Sequence, residues 1–199
     1  MNIEKNLQKS IDLYLSRDNF GIIFLTSLVA SLLSVISLGV LAGPLFGGLI
    51  MLILKLLRNK PTEFNEIFSH FDKFLPTMLV GLAFIISSLI AGNIPVIGVF
   101  LGIVLNPFIL VIASITIILI IEKGYTPLQA LKEGFAYFKT DPLIIWIYGL
   151  IASILSAIGA LAFGIGAVLT IPFSVICMAV AYQEYSDNGY FQISGSNPH

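Results

Sequence analysis

Ile103-Val104-Leu105-Asn106-Pro107-Phe108 has two counterparts in the chain, Val40-Leu41-Ala42-Gly43-Pro44-Leu45 and Val168-Leu169-Thr170-Ile171-Pro172-Phe173. Each reads as two aliphatic residues, two variable ones, a proline and a large apolar residue, and the copies recur about 64 positions apart. Every copy lies in a long uncharged run, so each proline is expected inside an apolar helix. There a proline removes one backbone hydrogen bond and kinks the helix, unless it falls in the first turn. Kinks are therefore expected at Pro44, Pro107 and Pro172, and the recurrence suggests a triplicated unit.

Composition supports membrane helices. Of 199 residues 57% are hydrophobic and 11% charged, with a mean hydropathy of +0.99. Soluble domains carry about 25% charged residues. The net charge of -1 points to no nucleic acid. The single cysteine, Cys177, lies in an apolar run, where no intrachain disulfide or thiolate metal site can be built from it. The first apolar run starts only at Asn19, after a leader of mixed charge, and it reads as a retained helix rather than a signal peptide.

From Asn19 to Leu54 there is no charge. A single helix of that length would reach about 54 Å, far beyond a hydrocarbon core of about 30 Å. The run must turn back, and Gly39 with Gly43-Pro44 supplies the break. The same reasoning places six membrane helices near 19–39, 42–58, 73–91, 96–121, 142–158 and 167–185. Turns fall at Ala91 to Pro95 and at Gly159 to Gly166.

Amphipathic segments precede each pair. Residues 2–17 put Ile3, Leu7, Ile11 and Tyr14 on one helical face. Phe64, Ile67, Phe68 and Phe71 form a second stripe, and Leu128, Leu131, Phe135 and Phe138 a third. Asp18, Asp72 and Asp141 stand just ahead of the odd-numbered membrane helices, where a carboxylate caps the first turn and meets the positive end of the helix dipole. Thr126-Pro127-Leu128-Gln129 is a capping box with proline at the first helical position. The expected fold is thus an all-α integral membrane protein of three hairpins in pseudo-threefold repeat, each led by an interfacial helix. The repeat units are about 1–58, 61–121 and 126–185 within one domain, 1–185, followed by a flexible polar tail, 186–199.

Six spans would put both termini and both charged linkers on one side, together with all ten Lys and Arg residues. The positive-inside rule then places that side, and both termini, in the cytoplasm.

The chemistry is sparse. No charge lies within a span, and Lys55 sits at a helix end where it can snorkel. Proton relays and ion-coupled pumps need ionisable groups in the bilayer. The only histidines, His70 and His199, lie outside the spans, and no paired aspartates, phosphate loop or metal spacing is present. No catalytic residue, metal site or cofactor is expected, although bound lipid is compatible with such a bundle. Serines 27, 31, 34 and 37, 87 and 88, and 153 and 156 occupy the odd helices and read as close-packed seams. Asn106 is the sharpest residue. A mid-bilayer amide needs partners, so it either lines a cavity or bonds a carbonyl freed near Pro107. Trp146 and Tyr148 fit an aromatic belt.

Gly43-Pro44-Leu45, Gly48-Leu49, Leu56-Leu57-Arg58, Pro61, Phe64, Phe68 and Phe71 resemble a bacterial group of polytopic inner-membrane proteins of unknown function. They are also similar to the membrane domain attached to some glycerophosphodiester phosphodiesterases. Ala130-Leu131 with Gly134-Phe135 looks like the second linker of that family. The resemblance implies six membrane helices in the bacterial inner membrane. The phosphodiesterase catalytic domain has no counterpart here, and its activity does not carry over. Mitochondrial carriers share the layout of three helix pairs. They place proline in odd helices beside charged pairs, which this chain does not.

Two functions remain open. One is a non-enzymatic accessory or assembly subunit of a larger membrane complex. The other is a transporter or lipid-handling protein with a small cavity near Asn106. Membrane lipids are partners in both, and protein partners or homo-oligomers suit either.

Overall fold

A computed structural model describes residues 1–92, 98–161 and 165–189. The described residues are all-helical, with no strand. In order they form α1 (Ile3–Leu15), α2 (Arg17–Ile36), α3 (Ala42–Leu57), α4 (Phe74–Gly92), α5 (Gly98–Lys123), α6 (Pro127–Thr140), α7 (Pro142–Leu161) and α8 (Ile165–Asp187). Two 3-10 turns, Phe64–Phe68 and Phe71–Lys73, stand between α3 and α4.

The six apolar runs become α2, α3, α4, α5, α7 and α8. Three stretches are long and apolar enough to cross a membrane: Arg17–Ile36, Phe64–Ile90 and Gly102–Lys123. The bent pair α6 and α7, whose axes turn by 106°, makes a fourth if counted as one span. The α3 helix, with 16 residues, is shorter. Six spans therefore go beyond what helix length and composition provide.

Local signals explain the boundaries. The Asn2 side chain accepts from the Lys5 amide at 3.0 Å and starts α1. Ser16, with φ -59° and ψ 125°, separates α1 from α2. Leu38 and Gly39 turn the chain with φ 52° and 86°, the second a conformation that glycine adopts without strain. Thr126 and Gln129 form the expected reciprocal box.

Several expectations change. Pro44 lies in the first turn of α3, where its missing N–H has no intrahelical acceptor to lose, so it is a starter and not a kink. Pro107 and Pro172 are interior to α5 and α8. The Phe-rich linker is not an amphipathic α-helix but the two 3-10 turns. The first is closed by a box between Glu63 and Glu66, and its rings run from Phe64 through Phe68 and Phe71 to Phe74 at centroid distances of 5.9–6.3 Å. Ile67 is tucked under α3, because a β-carbon at Gly48 would overlap the Ile67 carbonyl. Gly43 and Gly81 likewise let α3 and α4 touch backbone to backbone.

The core forms where the C-terminal halves of α3, α5 and α8 meet. Leu49, Ile53, Ile115, Ile118, Ile176 and Cys177 are all at 0% exposure. The amphipathic elements wrap it cyclically. The first 3-10 turn packs on α3, α6 packs on α5, and α1 closes the ring on α8. The other principal pairings are α7–α8, α4–α5, α5–α7, α3–α4 and α2–α3, so the hairpins also pack on one another.

The wrapping helices present an unexpected face. On α6 the buried residues are Ala130, Gly134 and Tyr137, with Gly134 against Thr116 and Ile112, while Leu128, Leu131 and Phe135 are exposed. On α1 the deepest residues are Asn6 and Ser10, and Ile11 points outward. Small residues allow close approach between helices, so on α6 the small face seats against protein and Leu128, Leu131 and Phe135 face out, while Phe138 packs on Phe108. On α1 the residues Ile3, Leu7 and Tyr14 of the stripe pack against the core, and Ile11 is exposed. Of the turn expected at Ala91 to Pro95, Ala91 and Gly92 end α4. Of that expected at Gly159 to Gly166, residues 159–161 end α7 and residues 165–166 begin α8. The residues between, and most of the tail, lie outside those described. The α8 helix runs two residues past its expected end, to Asp187.

Candidate functional site

Three features carry the polar and spatial character of the molecule. The first is a knot where α3, α5 and α8 end. Arg58 caps α3, pairs through Nη1 with Glu122 Oε1 at 2.8 Å, and donates from Nε to Gln183 Oε1 at 2.8 Å. The Gln183 amide donates in turn to Asp187 at 2.5 Å. Lys55, one turn before Arg58, pairs with Glu66 at 2.9 Å and ties the 3-10 turn to α3.

The second is the seat of α1. Glu184 accepts from the Asn6 side chain at 2.6 Å and from the Asn2 amide at 3.3 Å. The Met1 amine lies 3.6 Å from Asp141, which also accepts from the Tyr185 hydroxyl at 3.4 Å. Burial raises the Tyr137 phenol well above its ordinary value, with the nearby Tyr185, Glu184 and Asp141 adding to it. Burial raises Tyr14 as well.

The third is a groove of about 500 Å³ between α4, α5 and α6, walled by Leu79, Ala83, Phe108, Ile112, Leu128 and Leu131 among others. Ser87 is the one polar side chain among the described residues that line it.

The expected site residues fall as follows. Asp18 is in the first turn of α2, whose cap position belongs to Ser16, so it acts on the dipole rather than as the cap. Asp72 lies within the second 3-10 turn, 3.8 Å from Lys73 and short of the start of α4. Asp141 stands at the α6–α7 junction, and its carbonyl accepts from the Ile145 amide. Asn106 is half-buried, and its Oδ1 has no hydrogen-bond partner among the described residues. The carbonyl that Pro107 deprives of its helical donor is that of Ile103; beside it, the Val104 carbonyl accepts from the Trp146 indole at 2.8 Å. Tyr14 donates to the Leu169 carbonyl at 2.8 Å in the same relation to Pro172. Each interior proline therefore has the carbonyl three residues upstream held by an aromatic donor from another element. Sequence reading missed this pairing, although both aromatics were visible as amphipathic side chains.

Most seam serines make no bond across helices among the described residues, although the Ser156 carbonyl accepts from the Thr170 hydroxyl at 3.3 Å. The hydroxyls of Ser27, Ser31, Ser34, Ser88 and Ser153 are buried with no partner among the described residues. No cluster of three metal-ligating side chains occurs among the described residues. The arrangement can seat an apolar chain and hold helix ends together, and the described residues offer no nucleophile and base in contact.

No family model matches the chain, and no curated protein or solved structure matches it.

Proposed function

We propose that the chain is a non-enzymatic protein of the bacterial inner membrane, and that it acts as an accessory or assembly subunit of a larger membrane complex. In this reading α2, α3, α4, α5, α7 and α8 cross the bilayer as three hairpins with pseudo-threefold symmetry. The termini and charged linkers are cytoplasmic, and α1, the 3-10 turns and α6 lie at the interface.

The observation that carries the reading is the outward apolar surface. Ile36, Leu75, Leu89, Leu143 and Ile158 are 58–76% exposed on α2, α4 and α7. A surface of this extent calls for lipid or a protein partner. The outward Leu128, Leu131 and Phe135 of α6, the cyclic wrapping and the resemblance to polytopic inner-membrane proteins point the same way. The groove favours a second reading, lipid handling.

The test is the mass and subunit composition of the particle released from native membranes by mild detergent. Release in a large assembly with fixed partners is expected. Release alone, or as a homo-oligomer with bound lipid, would replace the subunit reading with the lipid-handling one.

A further inference from the structure

We propose that the groove between α4, α5 and α6 is a specific site for one phospholipid with an anionic headgroup, its acyl chain in the groove and its headgroup at Lys132 and Lys123. The proposal rests on the membrane-embedded part of the reading above and is compatible with either function.

The lining selects the chain. The α4 wall runs from Leu79 to Ser87, about 12 Å at the helical rise. A partner helix is the competing occupant, and the test below separates it from a lipid. An extended peptide would bring N–H and C=O groups into a lining whose only polar side chain among the described residues is Ser87. Unpaired backbone groups in an apolar site are strongly disfavoured. A hydrocarbon chain brings none.

Charge selects the headgroup. Leu128 and Leu131 form the α6 rim, and Lys132 follows directly, one helical turn beyond Leu128. Lys123 ends α5, just before the Pro127 edge of the groove. Both lysines are exposed, and neither has an ion pair among the described residues. The acid beside Lys123, Glu122, is already engaged by Arg58. The groove thus opens beside two free cations, which attract anionic lipid headgroups. The inward small face of α6 creates the site, since it turns Leu128 and Leu131 away from the core.

The test reconstitutes the full chain in vesicles of equal phosphatidylglycerol and phosphatidylcholine, extracts it gently, and counts bound lipid by native mass spectrometry. One phosphatidylglycerol per chain is expected, retained over phosphatidylcholine. Lys132→Glu, an exposed position, should lower its retention roughly fivefold, while Lys60→Glu on the other linker should not. Ala83→Phe should remove lipid of either headgroup. Equal retention of both lipids, unchanged by Lys132→Glu, would overturn the site as ordinary boundary lipid, and a retained polypeptide would overturn it in favour of a protein occupant. An integral chain that keeps no lipid sinks the site alone. A chain stripped from the vesicles by alkaline carbonate sinks the membrane reading beneath it.

Discussion

The apolar stretches Gly102–Lys123 and Phe64–Ile90 are similar in character, yet 56% of the most apolar 18-residue window of the first is buried inside the protein and only 11% of that of the second. The α5 helix meets α3 and α8 in a packed core, and polar contacts lock their ends. The α4 helix lies on the flank, touching α3 through glycine and leaving Leu75, Leu79, Ile86 and Leu89 outward. Apolarity therefore does not distinguish a residue that holds the protein together from one that faces its surroundings. In a bilayer both are satisfied, because lipid tails are as apolar as leucine.

Breaking the core should have the largest effect. Leu49→Ala is expected to cost about 2–5 kcal/mol, whereas Leu79→Ala on the flank should stay within about 0.5 kcal/mol. Reversible unfolding in mixed micelles measures both, and equal losses would erase the distinction. Arg58→Ala should cost roughly 3 kcal/mol by stranding Glu122 and Gln183. A double-mutant cycle with Glu122→Gln should show coupling, and additive losses would mean that the knot is not cooperative.

Next come the proline caps. Trp146→Phe and Tyr14→Phe should each lose about 1 kcal/mol, read as a lower thermal midpoint. No change would mean that lipid or water replaces the donor. His70, in the linker, is expected to matter less. Burial lowers its pKa below 6.5, aided by Lys55 and opposed by Asp72 and Glu66. The unfolded chain then binds the proton more readily, so stability should be complete above the ordinary value and fall as pH drops below it. His70→Gln should flatten that limb of a pH–stability profile. Asn106→Leu is the smallest effect, neutral or slightly stabilising in the same assay, because Oδ1 already lacks a partner. A marked loss would restore Asn106 as a structural amide.

Much of the helix layout was legible. Breakers such as Gly39, the charges at 55–60 and 122–123, and the Thr126 box mark ends that need no tertiary information. The orientation of the wrapping helices was not. In water a bulky apolar stripe must face protein, but at a membrane it can face lipid, so Leu128 and Phe135 do not reveal which side of α6 is seated. Ala130 and Gly134 do, through the close approach that they allow. The Arg58–Glu122–Gln183 knot joins residues far apart in sequence, and nothing local to any of them announces the others. The Phe-rich linker takes its 3-10 form with Ile67 held against Gly48, a contact that the stripe periodicity does not encode. The groove depends on three elements at once and had no sequence signal beyond the outward leucines.

The closure of α1 on α8 also has a consequence in time. Asn6 and Tyr14 find their partners at Glu184 and Leu169. At about 5–20 residues per second, the ribosome needs roughly 10–30 s to travel from the first element to the last. Throughout that interval the Asn6 amide and the Tyr14 hydroxyl are without Glu184 and the Leu169 carbonyl, their partners in the folded chain. The last helix to be made is thus the one that releases the first from waiting. A chain interrupted before α8 leaves α1 without its main packing partner.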